Sequence, residues 1–258
     1  MTAVRRAGSI ALAVSLCWLL AAADGAGATP SARLRVAFVP DRPGARTTVE
    51  LSLRISSPTA DTPPLRAFAL RLPSGMGVAT STLGENNCDP AALLASGLAG
   101  CPLNARLGYG SADAVVPVGA QAISEQAAVY PLMGLPAENR VEVLFYVEAR
   151  TPVFAQLVLP AGFAEDVPPF GERLETAVPL VQAWPEGPDL SLRSFSSTLG
   201  PLHLVYHRRV GGRTVDYTPH GIRIPSSCPP HGYPFAASLR FADGTSTTSS
   251  YRVPCQRH

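Results

Sequence analysis

Over residues 47–55 the chain alternates apolar and polar side chains without a break. Val49, Leu51, Leu53 and Ile55 fall on one side, and Glu50, Ser52 and Arg54 on the other. A period of two is what a strand needs when one face meets a core and the other meets water. The pattern returns over 65–72 with Phe68, Leu70 and Leu72 inward. It recurs over 141–147 with Val141, Val143, Phe145 and Val147, and over 233–241 with Tyr233, Phe235, Ala237, Leu239 and Phe241. No heptad and no internal repeat competes with it. Proline, 26 of 258 residues, is about twice as common as in an ordinary domain. A proline inside a central strand removes a ladder donor, so this share implies many turns and strand ends. The expected class is all-β: an antiparallel immunoglobulin-like β-sandwich, built as one domain or as two closely packed lobes divided near 119–124.

Further strands are expected at 34–39, 111–118, 127–131, 153–159, 174–181, 190–198, 202–210 and 213–217. The 153–159 run is apolar on both faces and belongs at the centre of a sheet. Residues 160–172, rich in Gly, Pro and acidic side chains, read as a long loop. The final hairpin can be read to its register. A two-residue turn at Asp243-Gly244 sends Tyr251 to the wrong face, whereas a three-residue turn, Ala242 to Gly244, sets Tyr251 opposite Phe235 and Val253 opposite Tyr233.

One helix interrupts the strands. Asp89 is a good N-cap, Pro90 suits the first helical position, residues 91–95 favour helix, and Gly97 can close it with a positive φ. Two turns are marginal alone in water, so Cys88 and Cys101 are expected to bridge its ends, with Leu93, Leu94 and Leu98 pressed onto a sheet.

Arg5 and Arg6 precede an apolar run over residues 10–23, and small residues follow to Ala28. This is the layout of a secretory signal peptide over residues 1–28. The run is shorter than the ~20 residues of a spanning helix, which favours a cleaved signal over an uncleaved signal anchor. No other stretch is long and apolar enough to cross a membrane, so no membrane insertion is expected after cleavage. Cys17, inside the run, is misplaced for a lipid acceptor. Without residues 1–28 the formal charge falls from +2 to +1. So neutral a balance argues against nucleic acid or an anionic membrane as partner. Four cysteines remain, Cys88, Cys101, Cys228 and Cys255, an even number in an exported chain. Three pairings exist, and proximity favours 88–101 with 228–255. Such loops stabilise by about 3 and 3.5 kcal/mol on the chain-entropy account. Zinc would need closer Cys or His spacing.

The residues Leu72-Pro-Ser-Gly-Met-Gly77, Ser81-Thr-Leu83, Cys88 to Cys101-Pro102, Gly108-Tyr-Gly110, Pro188-Asp-Leu-Ser-Leu192, Thr198-Leu-Gly200, Pro225-Ser-Ser-Cys228-Pro229, Phe241-Ala-Asp-Gly244 and Val253-Pro-Cys255 form a pattern. It resembles that of an uncharacterised family of secreted actinobacterial β-sandwich proteins with two disulfides. The motifs are turns and cysteines. The resemblance supports compartment, fold and disulfide pairing, and implies no activity and no functional residue.

No nucleophile elbow, phosphate loop, zinc-protease helix or calcium loop is present, and no cofactor is expected. His203 and His207 share a strand face near Asp216, but residues four apart on a strand stand ~13 Å apart, too far to bind one ion. Glu85, Asn86, Asn87 and Asp89 could offer oxygen ligands to calcium, although Asp89 is already the helix cap. Glu165, Asp166, Glu172 and Glu175 are the only candidates for an acid/base pair. Trp184, Tyr206, Tyr217 and Tyr233 could form a sugar-stacking face, the alternative being that most of these rings pack in a core or interface. The sequence therefore reads as a non-catalytic extracellular or envelope-associated interaction module, with a cell-wall glycan or another extracellular protein as partner. The competing reading is an extracellular hydrolase of polysaccharides or esters.

Overall fold

The structure, a computed structural model, describes residues 29–58, 62–77, 83–118, 121–136, 140–151 and 154–255. The candidate signal peptide lies outside them. The strands are β1 (Ser31–Val39), β2 (Arg46–Ser56), β3 (Leu65–Pro73), β4 (Gly108–Val118), β5 (Gln121–Met133), β6 (Glu142–Thr151) and β7 (Ala155–Glu165). They continue as β8 (Phe170–Ala177), β9 (Ser191–Leu199), β10 (Tyr206–Val210), β11 (Arg213–Tyr217), β12 (Ile222–Arg223), β13 (Tyr233–Phe241) and β14 (Ser246–Val253). The helix α1 (Pro90–Ser96) is the one α-helix among the described residues. The class is all-β and antiparallel, with one short disulfide-tied helix, as the alternation demands.

Hydrogen-bonded neighbours follow a single path, β1-β2-β9-β4-β5-β6-β7-β8-β3-β13-β14, with β12 added beside β2 and β10–β11 as a separate ribbon. The path nearly closes. Its two end strands, β1 and β14, lie side by side, and there the Leu34 N–H donates to Ser249 Oγ at 2.9 Å, but no ladder joins them.

Inward positions carry the alternation. Leu34, Val36 and Phe38 of β1 meet Val49, Leu51, Leu53 and Ile55 of β2, Leu70 and Leu72 of β3, and Phe235 and Leu239 of β13 in one buried core. Each such side chain contributes about 1.5–3 kcal/mol on leaving water. The final hairpin has the expected register, Tyr233 opposite Val253 and Phe235 opposite Tyr251, around a turn in which Gly244 takes φ +84°. Strand direction gives the sheet two ends. The upper end carries the start of β1, the β2–β3, β4–β5, β6–β7 and β13–β14 connections, and residues 178–190 between β8 and β9. The lower end is closed from beneath, where Leu204, Tyr206, Ile222 and Ile224 of the 200–232 segment join the core and Cys228–Cys255 ties that segment to the end of β14.

The helix rests on the outer face of β5–β7, where Leu93 packs with Leu132, Leu144 and Tyr146 and with Cys88 of the Cys88–Cys101 disulfide. Asp89 Oδ1 accepts from the Ala91 N–H at 2.8 Å, and Gly97 closes the helix at φ +59°. Leu94 departs from expectation: it is 54% exposed, because one turn of two carries only one stripe to the sheet.

Three local expectations need correction. Residues 160–172 are a β-hairpin rather than a long loop, since β7 runs to Glu165 and β8 starts at Phe170. Residues 202–205 are not strand. The Leu204 N–H turns back to the Pro201 carbonyl and His203 has φ +60°, so β10 begins only at Tyr206. Residues 121–124 belong to β5, where Gln121 pairs with Val118 of β4; residues 119–120 lie outside the described ones.

Candidate functional site: an apolar cavity at the upper end

The upper half of the interior is not filled. A cavity of about 170 Å3 lies there, lined by Ala112 and Ala114 of β4, Ala127 of β5, Ala149 of β6, Ala155 of β7 and larger apolar neighbours. The cause is legible position by position. Inward places at this level hold alanine on four adjacent strands, and a methyl cannot reach across the interior to a partner atom. Lower down, the inward places hold Leu51, Leu70, Leu72, Val143 and Phe235, and only about 50 Å3 remains. Phe145 lines both spaces and meets Phe195 edge-on at 6.1 Å, so the aromatic pair forms the floor of the upper cavity.

Two polar side chains enter its lining, Glu125 and Thr176. The Thr176 hydroxyl donates to the Pro160 carbonyl at 2.8 Å. Glu125 is buried and is the only charged side chain of the lining. Residues 178–190 fold over part of the opening, contributing Val178, Pro179, Val181 and Leu190. Their shape is held by the Leu190 N–H to the Val181 carbonyl at 2.8 Å and the Gly187 N–H to the Trp184 carbonyl at 2.8 Å. The indole of Trp184 sits over Gly187, where an added Cβ would stand 2.6 Å from the ring.

The four aromatic residues proposed as a sugar platform do not form one exposed face. Tyr206 and Tyr233 are both 0% exposed and present no ring face to a ligand. Tyr206 is held at the lower end by donating to the Arg106 carbonyl and accepting from the Gly84 N–H. Tyr233 donates to the Pro225 carbonyl at 3.1 Å. Tyr217 meets Tyr206 edge-on and donates to Glu85; burial, and then the Glu85 carboxylate, push its phenol up to about 12. Trp184 stands alone at the opposite, upper end.

The carboxylates of the β7–β8 hairpin do not converge on a cavity either. Asp166 receives Arg71 Nε at 2.5 Å and Nη2 at 2.8 Å, and Arg71 lies 4.1 Å above the Phe170 ring. This bidentate partner holds the Asp166 carboxyl below the ordinary carboxylate range. Glu165 and Glu172 are cross-strand neighbours, burial raises the Glu172 pKa, and Glu175 pairs with Arg173. His207 Nδ1 meets Asp216 at 2.6 Å on the exposed ribbon. No group of three or more His, Cys, Asp or Glu side chains able to hold a metal occurs among the described residues.

No family model matches this chain, and neither the curated proteins nor the solved structures contain a significant match. The class it represents is therefore defined by its own geometry: a nearly closed antiparallel sheet with a filled lower half and an apolar cavity above. The signal in the sequence was the run of small residues on inward parity, which reads locally as ordinary strand composition.

Proposed function

We propose that this protein is a non-catalytic binding module of the exported compartment that holds a small apolar molecule, or the end of a single acyl chain, in the upper cavity. The carrying observation is the cavity itself, about 170 Å3 of apolar space in an otherwise packed interior. Apolar cavities of about 150 Å3 in other proteins stay dry and admit benzene-sized guests. Two disulfides support an oxidising compartment.

The test is calorimetric titration with straight-chain alkanols of increasing length. Affinity should rise about fourfold per methylene, the equivalent of ~0.8 kcal/mol, until the cavity is full, and then level off. The heat capacity change should be negative. Weak binding that never levels with chain length would sink the reading.

A further inference from the structure

We infer that the upper rim docks on the surface of a lipid bilayer, so that guests pass between membrane and cavity without crossing water. The inference rests on the cavity reading, because a guest of that chemistry has to be exchanged with a lipid phase. Three independent features point to this end of the molecule.

First, the two exposed large aromatic side chains among the described residues, Phe154 (68%) and Trp184 (46%), both stand there. They come from different connections, β6–β7 and β8–β9, and exposed Val118, Ile123 and Leu180 accompany them. Aromatic and aliphatic side chains on loop tips are the composition that partitions into a membrane interface, tryptophan in particular. Second, the cavity reaches its opening beside them, since Val181 and Leu190 of the Trp184 loop and Ala155 next to Phe154 line it. Third, the described chain starts at this end. Ser31 opposes Ser56 at the top of β2, and the apolar run ending at Ala23 precedes Thr29 by six residues, a contour of about 20 Å. While that run remains attached, a membrane holding it faces the rim.

The contact is apolar rather than charge-driven. Arg33, Arg54, Arg66, Arg150, Arg193 and Arg240 near this end stand among Glu148, Glu186, Asp189 and Asp243, a small positive excess spread over the rim rather than a basic patch. Glu186, beside Trp184, keeps the loop at the headgroup level. Exposed aliphatics also occur at the lower end, among them Val39, Leu103, Val167 and Val205 besides Val210 and Val215 of the β10–β11 ribbon. No exposed tryptophan or phenylalanine accompanies them among the described residues, and the interior above them is closed by Leu204, Tyr206, Ile222 and Ile224. Among the described residues no helix is long and apolar enough to cross a membrane, which fits docking on the surface.

Residues 29–258, which contain the entire described fold, carry Trp184 as their single tryptophan, so the rim reports on itself. With phosphatidylcholine vesicles, Trp184 emission should shift to the blue and be quenched by brominated acyl chains, with little dependence on salt. Phe154→Ser should weaken vesicle partition about tenfold, whereas Val210→Ser with Val215→Ser should leave it unchanged. Absence of vesicle binding, or binding lost through the ribbon variants and indifferent to Phe154→Ser, overturns the inference. Alkanol uptake without vesicle binding overturns it while sparing the cavity reading. Vesicle binding without alkanol uptake overturns the cavity reading and keeps the rim as a docking surface.

Discussion

Ala127→Leu is the substitution that asks most of the cavity. Ala127 lies on the inward side of β5 between Glu125 and Val129 and lines the space directly. Leucine adds three carbons. If they enter the cavity, their transfer from water is worth at most about 2.4 kcal/mol at ~0.8 kcal/mol per methylene. Fixing the leucine rotamer costs about 0.5–1 kcal/mol, which leaves a net stabilisation of about 1.5 kcal/mol. For a chain of this size each kcal/mol moves Tm by about 2–4 °C, so the variant should melt about 3–6 °C higher. The same substitution should abolish alkanol uptake, because guest and side chain compete for one volume. Scanning calorimetry and the alkanol titration, run on the same preparation, read both effects. A close-packed interior would give the opposite result, a loss of about 1–3 kcal/mol from overpacking. A lower Tm with unchanged alkanol binding would therefore refute the claim that this space is empty and is the binding site.

Other expectations follow from the packing and the ion pairs. Leu93→Ala should cost about 2–5 kcal/mol in denaturant melts, because Leu93 is fully buried, whereas Leu94→Ala on the next position should stay within about 0.5 kcal/mol; equal effects would mean the helix does not pack as described. Asp166 has its pKa lowered by Arg71, so its contribution is complete above the unfolded value near 3.8 and is lost as pH falls through the lower folded value. Glu172 is shifted the other way by burial, so the measurement is the difference in acid unfolding between the parent and Arg71→Met. That difference should shrink below about pH 4, and a gap that widens on acidification would contradict the pairing. Replacing Cys228 and Cys255 by serine should cost about 3.5 kcal/mol and loosen the lower end, seen as faster amide exchange over residues 222–232 with the upper end unaffected.

Much of the fold was legible because its signals are local. The alternation in β2, β3 and β13 depends only on side-chain parity, the final turn on counting residues to Gly244, and α1 on the Asp89 cap. Strand order was not legible. That β9 sits between β2 and β4, and β3 between β8 and β13, depends on contacts far apart in sequence. The β7–β8 hairpin was hidden by its composition: Gly162, Pro160 and the acidic residues occupy strand positions, and only Asp166 to Pro169 form the turn. Tyr233 shares its strand face with Phe235 and Leu239 in the sequence, so its place in the core was legible and its place on a sugar platform was not to be expected; main-chain carbonyls accept the hydroxyls of Tyr206 and Tyr233 inside the protein. The cavity was illegible for a different reason, because an absence of side-chain volume appears only when four strands are seen together.

The junction between β1 and β14 has a consequence rooted in parity. Every neighbour along the path is antiparallel and the path holds eleven strands, so its first and last strands run in the same direction. A ring of antiparallel neighbours closes on itself only with an even number of members. This one is odd, and β1 and β14 could complete it only as a parallel pair, the weaker arrangement. The gap in the ladder is thus where the arithmetic of the chain's own topology leaves its mismatch. The two sheet edges shield each other from foreign strands, and they mark the line along which the wall can widen without breaking a single main-chain ladder.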